Sequence, residues 1–278
     1  MLVWDIDPYL IHTSSISIRY YGVFFALGVL GSCYIFLWQW QRHGRSLVSG
    51  KKAVLSILIG FMLGARLGEL LFYQPARFFA DPITPLLKWE SGLSSHGAAF
   101  GIILSLLLFS LLVRIPLREL LDHVAMPVMF TAIWVRLGNF FNSEIVGRTT
   151  DVPWAVRFPR FDVGLPLEQI PWRHPSQLYE SGLNLSVLLI LWFFDRRFGG
   201  AKRPAGLIFS LMLVIHYSGR FIAENYKTYQ TLDPERYPLT MGQYLTIPLL
   251  FLGVIWTIDI WSTLRAKAKE IPSVDSSL

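Results

Sequence analysis

The chain has 278 residues and a formal net charge of +6, and 53% of its residues are apolar while 16% are charged. Soluble globular proteins carry about 25% charged residues, so this composition excludes an ordinary soluble enzyme and also an intrinsically disordered chain. The single cysteine, Cys33, excludes an internal disulfide framework and a cysteine-rich metal site.

Seven apolar segments are long enough to cross a bilayer, for which a helix needs about 20 residues. The segments are Ile18–Trp38, Lys52–Phe72, Leu93–Val113, Leu120–Phe141, Leu178–Phe194, Ala205–Asn225 and Met241–Leu264. The first follows a stretch without Lys or Arg, so it lacks the basic region of a signal peptide and is expected to be retained. The fifth is short, and we expect it to begin nearer Pro175, because proline is favoured at the start of a helix. The sequence therefore predicts an all-α integral membrane protein with seven transmembrane helices in one membrane domain, residues 1–278.

The positive residues are densest on one side of the predicted membrane. They cluster after the first, third, fifth and seventh segments, at Arg42–Lys52, Arg114–Arg118, Arg196–Arg203 and Arg265–Lys269. This pattern follows the positive-inside rule and differs from the basic patch of a nucleic-acid-binding domain. We therefore predict an outside N-terminus, a cytoplasmic C-terminus and no nucleic-acid partner.

Two parts of the chain lie outside the predicted spans. The connection 142–175 is rich in prolines and aromatic residues, more so than a solvated linker, and we predict that it forms a small folded cap on the periplasmic side. The tail 271–278 is polar, and we predict a disordered cytoplasmic tail.

Three arginines, Arg66, Arg136 and Arg220, lie inside predicted spans. Each costs about 2.5–3.5 kcal/mol near the centre of a membrane helix, so each needs a reason. One reason is internal pairing, because Glu69 and Glu224 lie three and four residues after Arg66 and Arg220 on the same helix faces. The alternative is an anion site, because guanidinium groups bind phosphate bidentately and stay charged. In a membrane the obvious anion is a phospholipid headgroup.

Other polar residues flank these arginines. His96 lies at the start of the third span, and it is either a hydrogen-bonded packing residue or a general base, since an unperturbed histidine titrates near pH 6.5. The small residues after it admit either a ligand or a second helix close to the backbone. At the end of the fourth span, Arg136, Asn139 and Asn142 share one face, which is either a wet helix end or part of a polar site.

Taken together, the segments resemble the prolipoprotein diacylglyceryl transferase family over nearly the whole chain. The resemblance is carried by RYYG (19–22), GARLGELLFY (64–73), GLSSHGAAFG (92–101), RLGNFFNSEIVGR (136–148), RHPSQLYE (173–180), GRFIAE (219–224) and TMGQYLTIP (240–248). Each of these is a weak pattern alone, but seven in order on the expected spans are specific.

The resemblance implies a transfer of diacylglyceryl from phosphatidylglycerol to the lipobox cysteine of a prolipoprotein signal peptide, with no metal and no diffusible cofactor. It also implies a multi-pass protein of the bacterial inner membrane. The thiol belongs to the substrate, and a nearby base would help because a thiol of pKa about 8.5 is mostly protonated at neutral pH.

The resemblance further implies roles for individual residues. His96 matches the essential histidine of the family and is the candidate base, while Arg136 and Arg220 match the arginines expected to hold the phosphate. The catalytic set also includes Tyr21 and Glu224, with Glu224 expected to orient Arg220. The residues expected to bind phosphatidylglycerol, besides the two arginines, are Asn139, Asn142, Gly147 and Arg66.

Two positions depart from the family pattern. Ala98 stands where many members have a second glycine after the histidine, and Glu69 stands where an aromatic residue is common, beside Arg66. Two other functions compete with the transferase. A non-enzymatic lipid-binding or lipid-translocating protein would use the same anion cavity without His96, and an ion-coupled transporter would need carboxylate relays across the bilayer that the spans lack.

Overall fold

The computed structural model describes residues 1–84, 92, 94–229 and 236–269. Within them, seven helices are long and apolar enough to span a membrane, which confirms the seven predicted spans. The chain divides into two compact units: the first unit comprises Met1–Tyr34 and Val124–Leu278, and the second unit comprises Ile35–His123. The predicted tail at 271–278 and the first residue of the predicted third span, Leu93, lie outside the described residues.

The helices begin and end close to the positions expected from hydropathy. They are α1 (Tyr20–Arg42), α2 (Leu47–Tyr73), the short α3 (Pro75–Ala80), α4 (Ser95–Val113), α5 (Leu117–Phe141), α6 (Ser176–Arg197), α7 (Leu207–Ala223) and α8 (Met241–Lys269). Helix α2 begins before its predicted start at Lys52, because the Ser46 hydroxyl accepts a hydrogen bond from the backbone N–H of Ser49 and caps the helix there. Helix α6 begins directly after Pro175, as expected.

In the second unit, α2 and α4 pack with their backbones in close contact. The contact is made by glycines on both helices, since a Cβ at Gly97 would collide with the carbonyl oxygen of Gly64, and one at Gly101 with that of Gly60. Small residues at a membrane-helix interface allow this close approach. Of the two alternatives for the small residues after His96, the structure therefore supports helix packing at Gly97 and Gly101.

In the first unit, α7 packs against both α6 and α8. Glycines again allow the approach, because a Cβ at Gly219 would meet the side chain of Leu183 on α6, and one at Gly253 would lie 2.7 Å from Cβ of Leu213. Helix α1 packs on α5 near the middle of both helices, where the Ser32 hydroxyl donates to the Pro127 carbonyl at 2.6 Å. The end of α5, the start of α6 and the end of α7 all belong to this compact unit.

The connection 142–175 contains its own small core and binds the N-terminus. Strand β1 (Leu2–Val3) pairs in parallel with β4 (Val156–Arg157), and a separate antiparallel hairpin is formed by β2 (Tyr9–His12) and β3 (Ser17–Arg19). The buried side chains of this core are Phe140, Val146, Val156 and Phe158, with Trp4 and Phe141 packed against them. Since Phe140 belongs to α5, this core ties the connection to the helix end that carries the predicted polar residues.

Candidate functional site

The end of α5 carries a chain of hydrogen bonds that starts at Arg136. Its Nη1 donates to Oδ1 of Asn139 at 3.1 Å, and Nδ2 of Asn139 donates to Oε1 of Glu144 at 2.8 Å. Asn142 donates to the same oxygen of Glu144 at 3.3 Å. The predicted polar face is therefore real, and it is internally bonded; Glu144 contacts the asparagines, while the carboxylate that pairs with Arg136 comes from another helix.

That carboxylate is Glu180, in the first turns of α6. Its Oε2 lies 2.8 Å from Nε of Arg136, and its Oε1 lies 3.1 Å from Nη1 of Arg220 and 2.7 Å from Nζ of Lys227. The Glu180 side chain is only 4% exposed, so its charge depends on these three cations and not on water. One buried carboxylate thus joins the two arginines that the sequence predicts for phosphate binding.

Glu224 has a different partner from the one that helical spacing suggests. The structure pairs Arg220 with Glu180 across helices, while Oε2 of Glu224 lies 3.2 Å from Nζ of Lys227. A Cβ at Gly242, in the first turn of α8, would collide with the Glu224 carboxylate, so this glycine lets the carboxylate lie against the start of α8. Burial lowers the pKa of Lys227, and the neighbouring Glu180 carboxylate opposes that shift.

Gly147 is enclosed by two backbone segments. A Cβ there would collide with the carbonyl oxygen of His174 and lie 2.7 Å from that of Tyr226. The backbone N–H of Gly147 donates to the His174 carbonyl at 3.0 Å, and the next residue, Arg148, donates from Nε to the Lys227 carbonyl at 2.8 Å. The structure therefore gives Gly147 a clear packing role: it lets the connection, the start of α6 and the end of α7 meet.

Tyr21 joins the same group of residues from α1. A Cβ at Gly138 would lie 2.8 Å from the Tyr21 ring, so the ring packs directly on the turn of α5 that carries Asn139. The phenol is close enough to Arg136 and Glu144 to interact electrostatically with both. Of the predicted site residues, the structure thus brings together Tyr21, Arg136, Asn139, Asn142, Gly147, Arg220 and Glu224, all within the first unit.

The other two predicted site residues, His96 and Arg66, lie in the second unit. His96 is exposed in the first turn of α4, where the Ser94 hydroxyl accepts a hydrogen bond from the Gly97 N–H and caps the helix. Arg66 is 2% exposed in α2, and in the next turn Oε1 of Glu69 accepts a hydrogen bond from Gln74 at 3.2 Å.

A cavity of about 700 Å³ lies at the same ends of α6 and α7, and its lining includes Tyr179, Gly219 and Tyr226, the residues that precede Glu180, Arg220 and Lys227 in the sequence. Its lining consists of Val152, Trp154, His174, Tyr179, Leu183, Gly219, Ile222, Ala223 and Tyr226. The Trp154 indole donates to the Tyr179 hydroxyl at 2.6 Å, and that hydroxyl lies 3.1 Å from Nδ1 of His174. Because an indole only donates, the hydroxyl is free to donate to Nδ1, and burial lowers the pKa of His174 and favours this neutral form.

Sequence reasoning missed Glu180 and Lys227. In the sequence, Glu180 is a carboxylate next to an apolar segment, which could have marked it as a candidate. Its role depends on partners from other parts of the fold, which the sequence does not show. With these two residues, the ion-paired group holds three cations and two carboxylates, hence one net positive charge. Guanidinium groups fixed by a carboxylate on one side can bind an oxyanion with their remaining N–H groups. Among the described residues, no group of three or more His, Cys, Asp or Glu side chains is placed to hold a metal ion.

The comparisons with known proteins agree on one family. Residues 8–258 match the family model described as prolipoprotein diacylglyceryl transferase. The chain is 36% identical to the phosphatidylglycerol–prolipoprotein diacylglyceryl transferase of Tolumonas auensis, over 92% of this chain and 96% of that protein. It is also 36% identical to the proteins of the same name from Chloroherpeton thalassium, over 91% and 92% of the two chains, and from Porphyromonas gingivalis, over 97% and 96%.

Proposed function

This chain belongs to the prolipoprotein diacylglyceryl transferase family, and we propose that it transfers diacylglyceryl from phosphatidylglycerol to a cysteine thiol of a prolipoprotein. The relatives named above carry both substrates in their names. The chain is a multi-pass membrane protein with seven spanning helices. We assign it to the bacterial inner membrane, with the lipobox cysteine of the signal peptide as the acceptor.

The observation that carries this proposal is the pair of arginines held by one buried carboxylate. Arg136 and Arg220 come from different helices, and Glu180 binds both at 2.8 and 3.1 Å. Glu180 compensates part of the charge of the two guanidinium groups, and the phosphodiester of a membrane lipid is an anion that their remaining N–H groups can bind. Asn139 and Asn142 belong to the hydrogen-bonded chain that starts at Arg136, and we assign both to the binding of the lipid headgroup.

The proposed reaction is a displacement at carbon. The cysteine sulfur attacks the glyceryl carbon that carries the phosphate oxygen, so that a C–S bond forms while the C–O bond breaks. The electron pair of that bond leaves with glycerol phosphate, whose phosphate gains negative charge. Arg136 and Arg220 stabilise this developing charge, which is the kind of electrostatic assistance that contributes most to such steps. Tyr21 and Glu224 complete the polar surroundings of the arginines.

The thiol must lose its proton during this step. We assign the role of proton acceptor to His96, because an imidazole is the usual general base of proteins and this side chain is exposed at the start of α4. Arg66, one of the residues of the family motif, is assigned to lipid contact. With the predicted topology, His96 and Arg66 both lie towards the outer side of their spans.

The test uses the purified protein in detergent with phosphatidylglycerol and a synthetic lipobox peptide. Mass spectrometry of the peptide is expected to show a diacylglyceryl adduct on the cysteine with wild type and none with His96→Ala. A folded wild type that binds phosphatidylglycerol but forms no adduct would remove the transferase and leave a lipid-binding protein. If His96→Ala retained full activity, the transferase would stand but the base would have to be another group.

A further inference from the structure

Lys227 is a charged residue at the centre of the site for which the reaction described above has no role. It lies just after α7, and its side chain is 6% exposed although it carries a charge. Its Nζ contacts two carboxylates, Glu180 at 2.7 Å and Glu224 at 3.2 Å. A buried ammonium that pairs with two carboxylates neutralises part of their negative charge, so the electrostatic potential at neighbouring groups becomes more positive.

The neighbouring groups are the two arginines. Without Lys227, the two arginines and the two glutamates would together carry no net charge. With Lys227, these five ion-paired groups carry one net positive charge, while Glu144 is joined to Arg136 only through Asn139. Lys227 also takes the closest position to Glu180, at 2.7 Å compared with 3.1 Å for Arg220.

The backbone of Lys227 is fixed by the connection that precedes α6. The Lys227 carbonyl accepts a hydrogen bond from Nε of Arg148 at 2.8 Å, and the Lys227 N–H donates to the Glu224 carbonyl at 3.2 Å. Lys227 also pairs with Gly147 in an isolated β-bridge. Thr228 holds the same register by donating to the carbonyls of Val146 and Gly147. The ammonium is therefore placed by ordered backbone on both sides.

We propose that Lys227 is a positioning residue for lipid binding: it holds Glu180 and Glu224 so that Arg136 and Arg220 present a net positive charge to an anionic phosphodiester. This inference rests on the proposed function for the identity of the lipid. It does not depend on the chemical step, because it concerns the affinity of the site for an anionic headgroup.

A pH dependence follows from the surroundings of Lys227. The charged and titratable groups that act on its ammonium are Arg136 from α5, Glu180 from α6, and His216, Arg220 and Glu224 from α7 and the turn after it. Arg148 from the connection contacts its backbone carbonyl. Burial lowers the pKa of Lys227 from its ordinary value of 10.5. As pH rises through that lowered pKa, the ammonium loses its proton, the cluster loses its net charge, and affinity for an anionic lipid falls.

The experiment compares Lys227→Met and Lys227→Arg with wild type, and Lys51→Met, an exposed lysine on α2, serves as the control. Binding of phosphatidylglycerol in mixed detergent micelles is measured from pH 6 to 10, and the KM for this lipid and kcat are measured with the peptide substrate. Lys227→Met is expected to weaken lipid binding and raise KM about tenfold, with a smaller change in kcat and no loss of affinity at high pH. Lys227→Arg is expected to restore the affinity and to move its loss to higher pH, because an arginine keeps its proton.

Two results would overturn the inference. One is a Lys227→Met variant with the lipid affinity and the pH dependence of wild type. The other is a folded Lys227→Arg variant as weak as Lys227→Met, which would show that packing and not charge matters at this position. If wild type binds the lipid in this pH-dependent way but forms no adduct, the proposed function fails and the role of Lys227 in lipid binding stands.

Discussion

Glu180 is the residue that most directly couples the charged groups of the site. Replacing it by the isosteric glutamine leaves Arg136, Arg220 and Lys227 with one carboxylate fewer among them. Removing one partner of a buried ion pair costs about 3–5 kcal/mol, because the other charge stays buried without compensation. We expect Glu180→Gln to lose transferase activity and to lower the unfolding temperature in detergent, measured by intrinsic tryptophan fluorescence.

The matched control for this variant is Glu168→Gln, in an exposed 3₁₀ turn of the connection 142–175. Its side chain is in water, so we expect stability and activity within error of wild type. A Glu180→Gln variant as stable and as active as the Glu168→Gln protein would show that the carboxylate does not organise the arginines.

Gly147 tests a second feature at the residue scale, the close meeting of three backbone segments. A methyl group at this position would collide with the carbonyl of His174 and press on that of Tyr226, so Gly147→Ala must displace one of these segments. Overpacking of this kind costs about 1–3 kcal/mol. We expect lower thermal stability and strongly reduced activity, measured on the purified protein.

Gly182→Ala is the control for that prediction. A Cβ at Gly182, inside α6, would meet no atom within 4 Å, and alanine is favoured over glycine in a helix by up to about 1 kcal/mol. We expect this variant to be at least as stable as wild type. Equal stability of the two alanine variants would contradict the packing role of Gly147.

At the scale of elements, the contact between α2 and α4 depends on the absence of side chains. Gly97 follows His96, and its Cβ would collide with the Gly64 carbonyl. We expect Gly97→Ala to force the two helices apart and to lower the unfolding temperature, whereas Gly22→Ala on α1, where a Cβ has no neighbour within 4 Å, is expected to be neutral. Circular dichroism on heating in detergent compares the two; a neutral Gly97→Ala would mean that the helices adjust without cost.

The ion pairs of the site differ from those that spacing along a single helix predicts. Spacing along a helix suggests Glu224 as the partner of Arg220, because residues four apart share a face. The structure instead pairs Arg220 with Glu180 of the neighbouring helix and leaves Glu224 to Lys227. Helical spacing identifies which partners are within reach, but packing between helices decides which carboxylate is closest.

For the whole molecule, the predicted topology places the N-terminus outside. The test uses single cysteines in a Cys33→Ala background and a membrane-impermeant maleimide on intact cells. Ser14→Cys, in the exposed loop between β2 and β3, is expected to react, and Lys51→Cys, near the start of α2, is expected to react only after the membrane is permeabilised. The reverse labelling pattern would invert the orientation and place the site at the cytoplasmic side.

The spans and the two arginines of the site could be predicted from sequence, because hydropathy and a charge inside an apolar segment are local properties. The expected start of α6 near Pro175 also followed from local preference and is confirmed. Glu180 and Lys227 could not be assigned in this way, since their roles arise only where α5, α6 and the end of α7 meet. The motif around Gly147 identified this glycine as a candidate site residue. Its close contact with the carbonyl groups of His174 and Tyr226 could not be predicted, because that contact depends on the fold.

The central claim is that Arg136 and Arg220 form the phosphate site, and a titration with phosphatidylglycerol tests it most directly. The variants are Arg136→Lys and Arg220→Lys, which keep the charge next to Glu180 but lose the planar fork that binds an oxyanion bidentately. The rate at which the lipidated peptide forms is measured by mass spectrometry at several concentrations of phosphatidylglycerol. We predict that each variant stays folded and lowers kcat/KM for this lipid about tenfold or more. Folded lysine variants with the kcat/KM of wild type would contradict the assignment of these arginines to the lipid phosphate.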